Sequence, residues 1–254
     1  MDKKTILVTG STGWLGGKLC EALVARGVNV VGLARRKTEI DGLRGCVMAD
    51  LSTGEGLEFL SRRASEIDCC VHLAAVAGWG ELGDCLEVNV QGTRRLFDAL
   101  AGACTRFVVA SSISTVGTGR PNYPPQQLPM PDTHPYVGYP WAYALSKWQM
   151  EQLVQFIATK NNCENPDAPL DITMLRIGCC LTDPGEGPPR HLETGIAAAD
   201  TAKLRITHKE RNQWGCDGYR CVEYALVSES FLCEANGAVM CAGAGGGTVA
   251  TQAA

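Results

Sequence analysis

Two rhythms alternate along the chain: short apolar runs that end at small or polar residues, and stretches whose apolar positions recur every three or four residues. Residues 4–8 (KTILV) run apolar into Thr9-Gly10, as a strand buried on both faces does. From Gly13 the spacing turns helical, with Leu15, Leu19 and Leu23 in one stripe and Gly27 as the stop. Residues 28–33 and 46–51 are predicted as the second and third strands, and Leu57, Leu60 and Ala64 mark a narrow helical stripe after them. A strand over 67–73 and a long helix over 82–100 follow, the helix carried by Leu86, Val90, Phe97 and Leu100. A strand over 106–111, a helix over 142–157 and a strand over 171–177 complete the pattern.

Strand alternating with helix implies parallel pairing through right-handed crossovers, so the predicted fold is α/β, a doubly wound parallel sheet of the Rossmann type. That reading assigns residues 1–178 to a dinucleotide-binding domain. A short, divergent substrate-side region over 179–234 and a flexible, low-complexity tail over 235–254 (ending AGAGGGTVATQAA) are expected beyond it. Residues 119–140 hold seven of the 12 prolines and are expected to form an irregular loop of functional kind.

Composition narrows the function classes. Of 254 residues, 45% are hydrophobic and 20% charged, which excludes a disordered scaffold. A formal charge of −4 gives no electrostatic reason for a nucleic-acid partner. No apolar stretch is long enough to span a membrane, and the opening residues lack a signal-peptide pattern, so a cytoplasmic location is expected. The 13 Cys are then read as reduced thiols. Cys69-Cys70 and Cys179-Cys180 sit in strand-like runs as small hydrophobes, and the spacing of Cys216, Cys221, Cys233 and Cys241 matches no zinc pattern, so no metal site is expected.

The first strand joins the first helix through Thr9-Gly10-Ser11-Thr12-Gly13-Trp14-Leu15-Gly16. Gly10 permits a tight turn, Gly13 lets the backbone approach a pyrophosphate, and Gly16 allows close helix packing. The helix start turns its unsatisfied N–H groups and positive dipole end toward the phosphates. Gly10, Thr12, Gly13, Trp14, Leu15 and Gly16 are therefore candidate cofactor ligands. At the end of the second strand, where an NAD site usually has an acid, the chain has Arg35-Arg36-Lys37. A guanidinium grips a 2′-phosphate in forked geometry, so NADP is favoured over NAD, through Arg35 and Arg36. Asp50 and Leu51 after the third strand, and Ala74 and Ala75 after the fourth, are placed to face the adenine and the cofactor backbone. His72 is read as a packed strand residue.

Tyr143-Ala144-Leu145-Ser146-Lys147 puts a phenol and an ammonium on one helix face. A free phenol has a pKa of about 10, and a neighbouring cation favours its ionised form. Tyr143 is thus a candidate acid–base at an alcohol or carbonyl, with Ser112 placed to hydrogen-bond the same oxygen. Together with the turn VTGSTGWLGG, Asp50-Leu51, HLAA at 72–75, NVQGT at 89–93, Ser111-Ser112 and Leu175-Arg176, these residues resemble the extended branch of the short-chain dehydrogenase/reductases, the NAD-dependent epimerase/dehydratase family. The resemblance implies Tyr143 as acid–base, Lys147 as its electrostatic partner and ribose ligand, and Ser112 as oxygen anchor. Asn89 matches a position that is often structural and stays outside the catalytic set.

Two departures shape the expected activity. Family members commonly carry Asn shortly after Leu-Arg, contacting nucleotide sugars, where this chain has Cys179; a thiol lacks the amide's paired donor and acceptor. With the basic loop, this favours an alcohol/carbonyl oxidoreductase, similar to the dihydroflavonol or 3β-hydroxysteroid branches, acting on a small-molecule substrate. A nucleotide-sugar epimerase or dehydratase is the alternative, and a non-catalytic dinucleotide-binding regulator a third. Extended members also devote a longer stretch to the substrate lobe than follows Gly178 here, so an incomplete substrate side is expected. A homodimer through the helices at 82–100 and 142–157 is a further expectation from the family.

Overall fold

The computed structural model describes residues 4–77, 80–116, 123, 126 and 134–177, and the backbone of four short strand segments beyond them. In chain order the elements are β1 (Thr5–Thr9), α1 (Trp14–Ala25), β2 (Asn29–Ala34), β3 (Gly45–Met48), α2 (Leu57–Ser61), β4 (Cys69–His72), α3 (Leu82–Leu86), α4 (Thr93–Leu100), β5 (Arg106–Ser112), α5 (Ala142–Glu164) and β6 (Asp171–Ile177). Six strands pair in parallel in the order β3-β2-β1-β4-β5-β6. This is the doubly wound order, with its reversal point between β1 and β4. The strand segments β7 (Arg205–Ile206) and β8 (Arg220–Tyr224) extend the sheet beyond β6, β8 in parallel with it, and β9 (Phe231–Cys233) pairs antiparallel with β10 (Val239–Cys241). The expectations for 179–234, for the tail and for Cys179 and Cys180 otherwise lie outside the described residues, as do the side chains of Cys216, Cys221, Cys233 and Cys241.

Alternation along each strand separates two cores, as the period of two requires. Leu7 of β1 faces the side packed by α4 and α5, with Leu96, Phe97, Leu100, Met150 and Val154. Ile6 and Val8 face the other side, against Leu19, Cys20 and Leu23 of α1. Phe97 of α4 stacks on Phe107 of β5 with centroids 4.3 Å apart, fixing that helix over the sheet. Cys69 and Cys70 are both buried in β4, as small apolar residues would be, and burial pushes the Cys70 thiol well above its ordinary pKa.

α1 ends as its sequence predicts. Gly27 is left-handed, its amide donates to the Val24 carbonyl, and the next amide, of Val28, donates to Leu23. These paired bonds close the helix in a Schellman motif.

Three predicted boundaries are corrected. β3 stops at Met48 rather than 51, because the chain turns there: the Asp50 amide donates to Glu55 and the Gly54 amide to Asp50. The helix predicted over 82–100 is interrupted by a π segment over Glu87–Gly92. Asn89 commits its side chain outside the helix, and the Thr93 hydroxyl donates to the Asn89 carbonyl oxygen, loosening the regular ladder. α5 runs two turns beyond 157, to Glu164, because Ala158 and Asn162 continue its buried face and Asn162 bonds both the amide and the carbonyl of Leu170. Residues 134–140 of the proline-rich loop have no regular structure, as predicted.

Candidate active site

A parallel sheet brings all its carboxyl ends to one edge, and the predicted ligands stand there in order: 10–16 after β1, 35–36 after β2, 50–51 after β3, 74–75 after β4 and Ser112 closing β5. The N-terminus of α5, with Tyr143, returns to the same edge.

The glycine turn is built by close approach. Gly10 has a φ of +70°, and a Cβ on it would lie 2.9 Å from the Ala74 amide nitrogen. A Cβ on Gly16 would lie 2.2 Å from the Gly10 carbonyl oxygen, so this glycine packs α1 onto the turn itself rather than onto the sheet. The amides of Gly10 and Ser11 both donate to the Leu33 carbonyl, tying the turn to β2. Thr12, Gly13 and Trp14 are exposed above it. The N-terminus of α1 carries neither a side-chain cap nor an acid in its first turn. A bare positive helix end beneath an exposed glycine cradle fits the diphosphate of a dinucleotide.

The rim beyond the turn is polar. Arg35, Arg36 and Lys37 are exposed, and Thr38 turns inward, where its hydroxyl bonds that of Ser11 above Gly32. The Ser52 hydroxyl and amide donate to Oδ1 of Asp50 and hold its carboxyl below the usual range, with Arg35 adding to the effect. Leu51 is a core residue whose side chain packs inward, leaving its carbonyl to accept from Arg95.

The redox candidates meet where α5 crosses β5. Lys147 is 2% exposed; its ammonium donates to the Ala110 carbonyl oxygen at 2.7 Å and lies 5.9 Å from the centroid of the Tyr143 ring. Burial lowers its pKa to about 8, opposed by Glu151 and Cys85. The neighbouring serines divide their work. Ser111 donates to the buried carboxylate of Glu151, which also takes two bonds from Arg176, whereas Ser112 caps the 3₁₀ turn after β5 and accepts from the Ser114 amide and hydroxyl. Ser111 is thereby committed to the interior.

His72 is packed as expected. It is buried, and burial lowers its pKa to about 3. Asn89 bonds the amide and carbonyl of Val76 and the hydroxyl of Ser146, which donates in turn to the Tyr143 carbonyl. It is thus a brace between the 73–77 loop and the start of α5. The structural place of Asn89 agrees with the family resemblance, but its partners, the Ser11–Thr38 pair and the Glu151–Arg176 pair are not legible in the sequence; the one local signal for the last is a lone arginine inside the apolar run ITMLRI.

An aromatic run leads to Tyr143. Tyr123 lies against Tyr139 (centroids 5.3 Å), Tyr139 against Trp141 (6.0 Å) and Trp141 against Tyr143 (5.1 Å), all partly exposed. Behind them Tyr136 stacks on Trp148 and donates its hydroxyl to the Tyr139 carbonyl, while the Gln126 amide donates to Nε2 of buried His134.

Comparison with known proteins agrees with this architecture. The model of the NAD-dependent epimerase/dehydratase family matches residues 6–194. A ketoreductase of Stigmatella aurantiaca, acting by name on 4-hydroxy-2-methyl-3-oxo-4-farnesyl-3,4-dihydroquinoline-1-oxide, is 32% identical over 151 residues, covering 58% of this chain and 44% of that protein. Sterol demethylase protein B of Methylococcus capsulatus is 36% identical over 121 residues, 44% of this chain and 36% of that one. The chain spans less than half the length of these curated relatives. Among solved structures, a short-chain dehydrogenase/reductase superfamily protein from Agrobacterium tumefaciens with bound NAD superposes with a TM-score of 0.55 at 32% identity, over 68% of this chain and 48% of that one. MoeE5 in complex with UDP-glucose and NAD gives 0.53 at 31% identity, over 72% and 57%. This chain belongs to the NAD-dependent epimerase/dehydratase family of the short-chain dehydrogenase/reductase superfamily.

Proposed function

We propose that this chain is an NAD(P)-dependent oxidoreductase that works at a secondary alcohol or ketone, with Tyr143 as its acid–base. The observation that carries the reading is the seat of Lys147: a buried ammonium on the helix face of Tyr143, bonded to β5 two residues before Ser112. Bound NAD(P) supplies the hydride donor or acceptor. Tyr143 gives its phenolic proton to the carbonyl oxygen as the alcohol forms, or takes it back in the reverse direction. The Lys147 cation lowers the cost of the phenolate left behind. Ser112 donates to the same oxygen and fixes its direction.

The aromatic run favours an apolar carbonyl substrate over a nucleotide sugar. Between His134 and Ser146 the chain has no Lys or Arg to answer a diphosphate, and its partly exposed rings offer stacking area instead. The ketoreductase name of one relative supports the same choice. An epimerase reading is favoured by the likeness to MoeE5. A substrate panel followed by cofactor absorbance separates them: net cofactor turnover belongs to the reductase, sugar conversion without it to the epimerase. Replacing Tyr143 with Phe is expected to abolish turnover and keep cofactor binding; an unchanged rate overturns the assignment.

NADP is the proposed cofactor, on the strength of exposed Arg35 and Arg36, although the solved relatives described above hold NAD. Changing both arginines to Ser is expected to weaken NADPH binding by about tenfold or more and leave NADH binding unaltered. Tighter NADH binding by the unaltered protein overturns this. A homodimer through α5 and the stretch from α3 to α4 completes the reading; Leu82 of α3 and Phe156 of α5 are exposed, and sedimentation velocity tests it.

A further inference from the structure

Three successive turns of α5 carry Tyr143, Lys147 and Glu151 toward the sheet. Lys147 and Glu151 are both buried, and they grip consecutive residues of β5: the ammonium bonds the Ala110 carbonyl, and the carboxylate accepts from the Ser111 hydroxyl. Ser111 stands in register with Arg176 of β6, whose Nε and Nη2 donate to the same carboxylate at 3.0 and 2.9 Å. Every oxygen of Glu151 is thus held, and its negative charge is fixed one helical turn from the ammonium.

A tie of this kind is not needed for packing. Burying two charges costs several kcal/mol of solvation, and well-packed apolar residues of similar volume often hold such a place equally well or better. What apolar residues do not supply is a fixed charge beside Lys147. The close contacts of that ammonium are a carbonyl oxygen and the Met150 thioether, neither of them an anion. Among the described residues, the ionisable groups around it are Tyr143 and Glu151 on its own helix, Cys85 on α3, His72 on β4 and Arg176 on β6. His72 is neutral, and burial keeps the Cys85 thiol protonated. Among the described residues Glu151 is therefore the anion that answers the lysine, while Arg176 and Ser111 hold it in place.

We propose that Glu151, clamped by Ser111 and Arg176, is a positioning residue that keeps Lys147 cationic and seated against β5. The clamp acts on the reaction only through Lys147, so its mechanistic meaning rests on the assignment of Tyr143 and Lys147 above. Its physical content is read from Lys147 alone.

The test is a carbon-13 NMR titration of the Lys147 ε-carbon in the full chain, the resonance identified by its loss in Lys147→Arg. A midpoint near 8 is expected in the unaltered protein. Glu151→Gln is expected to lower it by about one pH unit or more, and Glu151→Asp to restore most of the difference. Should the lone Arg176 charge unfold the single variant, the double replacement Glu151→Gln with Arg176→Gln keeps the site neutral and is expected to show a smaller fall in the same direction, since the cation lost with the anion offsets part of its effect. A midpoint unmoved in a folded variant overturns the proposal, and so does a drop in melting temperature with no change in the titration, which is the mark of a merely structural tie. Turnover by Tyr143→Phe would remove the redox assignment and leave this result standing.

Discussion

Nδ1 of His72 lies 2.8 Å from the hydroxyl of Thr9, and that contact sets the polarity of a whole chain of hydrogen bonds. The Thr9 oxygen accepts from the amides of Leu73 and Ala74, so its proton goes to Nδ1. On the far side Thr93 spends its proton on the Asn89 carbonyl, so Nε2 of His72 donates to Thr93. His72 is held as the neutral Nε2–H tautomer, and a second ring proton would have no acceptor.

A pH dependence of stability follows. The folded-state pKa of His72 is about 3, below the ordinary value of 6.5. Between those values the unfolded chain binds the proton and the folded one does not, so stability is full above pH 6.5 and falls as pH drops toward 3. The expected contribution of this residue is about 1.4 kcal/mol per pH unit within that window. Urea unfolding at several pH values measures it; His72→Gln should flatten the slope, and an equal slope in both proteins would refute the assignment.

The two serines at the end of β5 should differ in their effect on activity. Ser112→Ala is expected to lower kcat by about a hundredfold, as removal of one donor to the reacting oxygen does, and to cost about 1 kcal/mol of stability through loss of its cap on Ser114. Ser111→Ala removes a bond to a buried carboxylate and is expected to cost about 1–3 kcal/mol of stability. The reverse pattern in paired kinetic and melting measurements would exchange their roles.

Gly16→Ala should be poorly tolerated. The added carbon meets a backbone carbonyl at 2.2 Å, which no rotamer change relieves. A loss of about 3 kcal/mol is expected, with cofactor binding weakened because α1 is pushed off the turn. By contrast Gly83→Ala meets nothing within 4 Å and serves as the matched control in denaturant titrations.

The elements that sequence reveals best are those set by local rules. The glycine turn, the buried strands and the Tyr143–Lys147 spacing each show within a few residues, because backbone freedom and side-chain period are local properties. The apolar run extends β3 too far because it continues through Ala49 and Leu51, while the bonds that end the strand run within the turn closed by Gly54 and Glu55. The π segment depends on where the Asn89 amide finds partners, and those lie in the 73–77 loop and on α5. Glu151 meets Arg176 25 residues away, and Ser11 meets Thr38 27 residues away; neither pair has a spacing that either helix or strand would produce. The proposed NADP preference sits between the two cases: the arginines are plain in the sequence, and the two solved relatives hold NAD.

The hydroxyls of Ser11 and Thr38 meet directly over Gly32, where a Cβ would approach them to 2.8 and 3.0 Å. Three positions on three separate segments therefore share one small space. An engineer who enlarges any of them must shrink another, and the redesign of cofactor choice at 35–37 is best begun with that trio untouched, since the loop hangs from it.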